Sequence, residues 1–130
     1  MLSATPVRVR AAIVAVGWAG IAVAASAQEA PFAAEQIDFF EAKIRPVLVE
    51  QCYSCHSAES KSLKGGLRLD VREGVRRGGE SGPAVVPGKP DDSLLLSALR
   101  HESFQMPPER KLSDEVVENF TRWVAMGAPD

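Results

Sequence analysis

The chain of 130 residues has only two cysteines and two histidines, and its acidic and basic residues nearly balance. With two cysteines, no disulfide framework can hold the fold together. Fifteen basic residues against 17 acidic ones give no positive surplus for nucleic acid or anionic lipid. The longest uncharged apolar run, residues 11–24, is shorter than the ~20 residues that a membrane-crossing helix needs. Nucleotide binding is also excluded, because five residues separate Gly82 from Gly88 where a phosphate loop has four.

The two cysteines are followed directly by a histidine, in the sequence Cys52-Tyr53-Ser54-Cys55-His56. This is the attachment motif of a c-type haem. Residues i and i+3 of a helical turn share a face, so both sulfurs reach the two vinyl groups at one edge of a porphyrin. His56 then offers an imidazole nitrogen to the iron. The sequence therefore predicts one haem c, covalently held by Cys52 and Cys55, with His56 as the proximal ligand.

Three other roles for the cysteine pair fit less well. A thioredoxin-like redox motif requires a βαβ pattern around it, and none is visible. A structural zinc ion needs four ligands, and the chain has no further cysteine and only one other histidine, His101. A disulfide within the pair would close a very short loop.

The first 27 residues have the three regions of a secretory signal peptide. Arg8 and Arg10 form a basic start, the apolar run follows, and residues 25–27 fit the small-x-small pattern before a cleavage site. Cleavage after Ala27 leaves a mature chain of 103 residues with a net charge of −4. The sequence thus predicts an exported, periplasmic protein. Membrane attachment is expected only if the signal segment stays uncleaved as an anchor.

The mature chain is predicted to be one small, mainly α-helical domain after a short tether, residues 28–34. Apolar residues recur every three or four positions from Glu35 onwards, which predicts a first helix to about Arg45. Pro46 lacks an N–H and crowds the preceding turn, and the residue before a proline is pushed out of the α region. We therefore expect a kink at Pro46, followed by a turn-rich segment with the haem motif.

A long glycine-rich segment, residues 57–89, separates the first helix from the later ones and contains seven of the ten glycines. Alternating apolar and charged residues from Leu67 predict either a short strand or, with Asp70 as the cap, a brief helix that ends near Gly78. A loop of this length within a compact domain is usually functional. Wrapping one edge of a haem is a sufficient role for it.

Two helices are predicted in the last third of the chain. An aspartate at position 91 or 92 caps the first, which ends near His101, and Ser113 caps the second. The apolar face of the second is formed by Val116, Phe120, Trp123 and Val124. We expect this face to cross the first helix, with Phe40 near Trp123.

An electron-transfer haem has both axial positions filled by the protein, and methionine opposite histidine is a common arrangement in c-type cytochromes. Of the three methionines, Met1 leaves with the signal peptide, and Met126 lies three residues from Trp123, where methionine usually fills core space. Met106 lies in a loop, and the two prolines after it stiffen the backbone. Met106 is therefore the predicted distal ligand, and His101 is the alternative.

The chain resembles the planctomycete-type cytochrome c domain, a relative of class I cytochromes c. The resemblance is carried by residues 40–48, the motif 52–56, residues 64–70, 78–84 and 86–90, Met106-Pro107-Pro108, Leu112-Ser113 and Gly127-Ala128-Pro129. These segments cover the chain from about Phe39 onwards. The resemblance implies a small helical haem domain with His56 and Met106 as axial ligands. With the helical pattern that begins at Glu35, the haem domain is predicted to span residues 35–130, with a long glycine-rich loop between helices.

Together, these features predict one-electron transfer outside the cytoplasm, with redox proteins as partners and no enzymatic activity. Arg68 is a candidate contact for a haem propionate, although arginines in this region also suit a solvated face. Two alternatives stay open. One is a haem enzyme or small-ligand sensor, which needs an open iron position. The other is a haem module of a larger exported protein.

Overall fold

The computed structural model describes residues 31–130, which form a helical fold without a strand in that range. An isolated bridge joins Gly79 and Gly82. None of the helices in this part of the chain combines the length and apolar character needed to cross a membrane. The predicted mainly α architecture is thus confirmed. The predicted signal peptide, residues 1–27, lies outside the described residues.

The first helical run has a wider π-helical turn in its middle. Helix α1 (Ala34–Phe39) is followed by a π segment (Phe40–Ile44) and by α2 (Arg45–Gln51). The predicted helix end at Pro46 is wrong, because Arg45 has α-helical angles of φ −53° and ψ −45°. The Arg45 N–H donates to the Phe40 carbonyl, five residues back, which shifts the hydrogen-bond ladder by one residue. Pro46 thereby falls in the first turn of α2, where a missing N–H is tolerated.

The glycine-rich segment folds into short helical turns joined by loops, and the strand considered for it is not formed. A 3₁₀ turn (Lys64–Gly66) precedes α3 (Arg72–Arg77). As predicted, this brief helix ends at Gly78, which has a φ of 75°. A side chain there would also overlap the carbonyl of Gly82. Both the positive φ and the close carbonyl therefore require glycine at the end of α3.

Helix α3 lacks the aspartate cap that the sequence predicts. Its N-cap residue is Val71, which makes no side-chain capping bond. The Asp70 carboxylate instead accepts hydrogen bonds from the Ala58 N–H and from the Arg68 guanidinium. A guanidinium offers two parallel donors to a carboxylate. Asp70 therefore binds Arg68 and Ala58 and does not cap α3.

Helix α4 (Leu94–Leu99) lies where the sequence predicts a helix, but its cap is different. The two aspartates belong to a 3₁₀ turn (Pro90–Asp92), and the N-cap residue is Ser93. The Ser93 hydroxyl accepts from the Val86 N–H at 2.9 Å and donates to the Lys89 carbonyl at 2.8 Å. It therefore holds the preceding loop together rather than the helix.

Helix α5 (Asp114–Ala125) begins at its predicted cap. The Ser113 hydroxyl accepts a hydrogen bond from the Val116 N–H at 3.4 Å. The buried residues of α5 are Val117, Phe120, Trp123 and Val124. Val117 takes the buried position that the sequence assigned to Val116, which is only partly buried.

The first helical run packs against α5 through aromatic rings. Phe40 stacks on Trp123 with 5.8 Å between ring centroids, as predicted, and Phe120 meets Trp123 edge-on at 6.0 Å. The Trp123 indole N–H donates to the Pro129 carbonyl at 2.7 Å, so its polar atom is satisfied. Because Phe40 and Trp123 are only 4% and 2% exposed, their contact lies within the core.

Truncating either ring of this pair is expected to destabilise the protein strongly. Phe40→Ala and Trp123→Ala should each lower the free energy of unfolding by about 3–5 kcal/mol, because a large void remains among packed neighbours. Thermal unfolding of the haem-loaded protein measures the effect. Val49→Ala is the matched control, since the Val49 side chain is 55% exposed. Melting temperatures equal to that of the control would show that the two rings do not support the core.

Candidate haem site

A cavity of about 580 Å³ lies beside the haem motif and α4. Cys52, Cys55, His56 and Met106 all contribute to its lining. The apolar residues of the lining include Leu67, Leu69, Ala84, Leu94, Leu95, Ala98 and Leu99. Cofactor pockets typically measure about 300–1,000 Å³ and are mostly apolar, with a few polar groups. The cavity therefore has the size and the lining of a cofactor site.

The haem motif lies in a turn that directly follows α2. The Cys52 N–H donates to the Leu48 carbonyl at 3.0 Å, which ties the turn to the end of the helix. The Cys52 carbonyl accepts from the N–H groups of Cys55 at 3.1 Å and His56 at 2.9 Å. The chain therefore makes a helix-like turn through the motif, and both cysteines lie on the cavity.

The surroundings of the cysteines bear on the other roles considered for the pair. The two cysteines form no disulfide, and Cys52 is buried while Cys55 is partly buried. Burial raises the pKa of the Cys52 thiol to about 11, and the neighbouring Cys55 adds to this effect. Redox-active Cys-x-x-Cys pairs instead contain a thiol with a lowered pKa. Cys52 thus lacks the electrostatic environment of a disulfide oxidoreductase.

His56 is held by the segment that follows the 3₁₀ turn. Its Nδ1 lies 3.3 Å from the Leu67 carbonyl oxygen. In the tautomer that has hydrogen on Nδ1, this nitrogen donates to the carbonyl, and Nε2 keeps its lone pair for a metal. The Leu69 N–H also donates to the His56 carbonyl at 2.8 Å. Both the ring and the backbone of His56 are therefore fixed by one neighbouring segment.

Met106 reaches the same cavity from the loop between α4 and α5. Its N–H donates to the Ala98 carbonyl at 3.3 Å, and Ala98 itself lines the cavity. The next residue, Pro107, is buried and also contributes to the lining. The loop is therefore tied to the cavity wall at the methionine. A thioether in this place is a suitable ligand for haem iron.

His101, the alternative ligand, is not among the described residues that line the cavity. It follows α4 with a φ of 61°, a left-handed conformation that is uncommon for a residue with a side chain. Its Nε2 is buried and makes no hydrogen bond within residues 31–130. Of the two residues considered for the distal position, Met106 lines the cavity and His101 does not.

The sequence and the geometry converge on a haem site, and a comparison with known families agrees. Residues 52–110 match the family Planctomycete cytochrome C. The match confirms the resemblance for this range, while the flanking segments 40–48, 112–113 and 127–129 lie outside it. For this range the family indicates haem binding and electron transfer. No curated protein and no solved structure matches the chain.

Within residues 52–110, Arg68 is not among the cavity residues, and the predicted propionate contact gains no support. Its guanidinium binds Asp70 instead, with Nε–Oδ1 and Nη2–Oδ2 distances of 3.0 and 2.7 Å. These bonds, together with a smaller contribution from the Ala58 N–H, hold the pKa of Asp70 at about 2. The lining includes the cations Lys64 and Arg110, neither of which was predicted from the sequence as a cofactor contact.

Proposed function

We propose that the chain is an exported cytochrome c that carries single electrons on one covalently bound haem, with His56 and Met106 as the iron ligands. The observation that carries the proposal is the cavity of about 580 Å³ lined by Cys52, Cys55, His56 and Met106 together. The family match over residues 52–110 supports the same function.

The residues of the cavity fit a haem. Cys52 and Cys55 supply two sulfurs for thioether bonds, and His56 supplies an imidazole lone pair for the iron. The cations Lys64 and Arg110 of the lining suit the carboxylates of the propionates. The lining also contains the acidic residues Glu50, Glu80 and Glu109. When bound, the haem supplies a one-electron couple between ferric and ferrous iron.

The apolar wall of the cavity is expected to affect the reduction potential of the haem. Leu69, Leu95 and Leu99 are 4%, 7% and 1% exposed, so this side of the cavity is closed to water. A region of low dielectric disfavours the additional positive charge of the oxidised iron. A methionine ligand acts in the same direction. We therefore expect a reduction potential above that of a His/His haem.

An iron with an open position, as in a haem enzyme or a sensor, has less support. The Met106 backbone is bonded to Ala98, and its side chain contributes to the cavity. Such a function would need Met106 to be displaced from the iron. No observation favours that displacement over ligation.

Export is supported by the order of basic, apolar and small residues in positions 1–27. Cytochrome c domains are typically exported as well. The partners that follow from this function are redox proteins outside the cytoplasm. The net charge of −4 predicted for the mature chain gives no reason to expect a nucleic acid partner.

The intact mass of the exported protein tests the proposal directly. The full chain is produced with the cytochrome c maturation machinery, and its mass is measured under denaturing conditions. We expect the mass of residues 28–130 plus one haem, with Gln28 at the N-terminus as glutamine or in its cyclised form. The mass of the bare polypeptide would contradict covalent attachment. Retention of residues 1–27 would indicate an anchor instead of a cleaved signal.

A further inference from the structure

The segment 67–70 is connected to His56 at two points. The Leu67 carbonyl lies 3.3 Å from the His56 ring nitrogen Nδ1, and the Leu69 N–H donates to the His56 carbonyl at 2.8 Å. The position of this segment therefore determines where the ring of His56 is held. Whatever fixes the segment also fixes the imidazole.

Side chains alternate along this segment. Leu67 and Leu69 line the cavity, whereas Arg68 and Asp70 are not part of the lining. Such alternation is the property of extended backbone, in which successive side chains point to opposite sides. Arg68 and Asp70 thus form a polar pair behind the wall that carries the two leucines.

The polar pair connects the segment 67–70 to the backbone just after His56. The Asp70 carboxylate accepts from the Ala58 N–H at 3.1 Å, and Ala58 lies two residues beyond His56. Arg68 binds both oxygens of the same carboxylate, at 3.0 and 2.7 Å. These bonds hold the backbone at Ala58 and the segment 67–70 in a fixed relative position. A guanidinium and a carboxylate joined by two bonds keep their mutual orientation better than a single contact does.

Helix α3 supports the segment on another side. A Cβ atom at Gly74 would lie 2.5 Å from the Arg68 carbonyl oxygen and 2.8 Å from the Arg68 Cβ. Glycine therefore lets the helix backbone pack directly against Arg68. The backbone and Cβ of Arg68 therefore pack against α3, while its side chain, which is 34% exposed, is held by the Asp70 carboxylate.

We propose that Arg68 and Asp70 are a positioning pair for His56, which sets the orientation and electron donation of the proximal imidazole. The inference rests on the proposed function, since it requires His56 to bind iron. A hydrogen bond from the free ring N–H to a fixed carbonyl makes an imidazole a stronger donor to its metal. Loosening the Leu67 carbonyl weakens that bond, makes the ferric state less favourable and raises the reduction potential.

Two neutralising substitutions test the pair in the haem-loaded protein. Asp70→Asn and Arg68→Gln each remove one charge of the bidentate interaction. The first keeps the size of the side chain, and the second shortens it while keeping a polar end. The readouts are the reduction potential and the exchange rate of the His56 Nδ1 proton, measured by NMR on reduced protein with ¹⁵N-labelled histidine. Both variants should accelerate exchange by up to about tenfold, the effect expected for loss of the neutral hydrogen bond between the His56 Nδ1–H and the Leu67 carbonyl, and both should raise the potential.

The sign of the potential shift separates positioning from simple charge. Removing the negative Asp70 raises the potential by Coulomb's law, whereas removing the positive Arg68 lowers it. If the pair acts by position, both substitutions shift the potential upwards. Opposite shifts, or an unchanged proton exchange in both variants, overturn the inference.

Glu41→Gln is the matched control. Glu41 also binds an arginine through two bonds, from Arg45 Nε at 2.6 Å and Nη2 at 2.8 Å, but it lies on the first helical run. This variant should leave both the potential and the exchange rate unchanged. A change equal to that in Asp70→Asn would contradict a specific role for the pair.

Arg68→Lys keeps the charge and loses the planar fork. We expect its exchange rate to lie between those of the unmodified protein and Arg68→Gln. This variant also tests the pair if a neutralised variant does not accumulate with haem. A rate equal to that of the unmodified protein would overturn the inference. Failure of the proposed function is recognised separately, because an unmodified protein without a His56-ligated haem would show it before any variant is compared.

Discussion

Protein with both Cys52 and Cys55 replaced by alanine is expected to release all of its haem into acidified organic solvent. The unmodified protein should keep its haem in the aqueous phase under the same conditions, because two thioether bonds survive denaturation. The two fractions are compared by their absorbance in the Soret region. The reason is structural, since both cysteines contribute to the same cavity within one turn of the chain.

The single variants and a neighbouring serine make this test specific. Cys52→Ala and Cys55→Ala should each retain haem through one bond, with an absorption band of the pyridine complex shifted to longer wavelength. Ser54→Ala is the control, because the Ser54 hydroxyl touches the Cys55 sulfur at 3.8 Å but has no place in the attachment chemistry. Extraction of haem from the unmodified protein would show that the attachment assigned to this motif is wrong.

The haem motif could be predicted because covalent chemistry fixes the offsets of its residues. Two sulfurs and an imidazole must meet one porphyrin, and few other sequences satisfy that requirement. Met106 followed from the small number of methionines, which left little choice. The structure brings Met106 to the same cavity as the motif. The ligation itself remains a prediction until the spectra are measured.

Pro46 shows why a local rule gave the wrong helix end. The rule assumes an α-helical ladder, in which the proline ring would crowd the carbonyl of Ala42. The π segment before it places the Arg45 bond on Phe40 instead, and the helix continues. A shift of one residue in a hydrogen-bond ladder has no signature in a pattern of apolar residues. The packing of Phe40 against Trp123 was predictable, because it depends on that pattern.

The polar residues were harder to assign because each has several potential partners. Asp70 suits a helix cap, and Arg68 suits a propionate, when each is considered alone. In the fold they bind each other, and the pair takes both residues away from those roles. The Leu67 carbonyl could not be predicted as the partner of the His56 ring, because every residue has a backbone carbonyl. Sequence reasoning therefore identified four residues that line the cavity, but not the groups that hold them there.

Replacing Met106 by alanine is expected to open the iron while leaving the fold in place. The backbone bond from residue 106 to the Ala98 carbonyl does not depend on the side chain. The oxidised variant should lose the weak far-red sulfur-to-iron band completely, and the reduced variant should bind carbon monoxide. Its potential should fall, because a thioether stabilises ferrous iron and its replacement by water does not.

His101→Ala and Met126→Ala are the controls for this substitution. Neither His101 nor Met126 is among the described residues that line the cavity, so both variants should keep the far-red band and exclude carbon monoxide. The opposite pattern, with an open iron in His101→Ala and no change in Met106→Ala, would assign the distal position to histidine. The attachment through Cys52 and Cys55 would stand in that case, because the two assignments depend on different residues and are measured by different experiments.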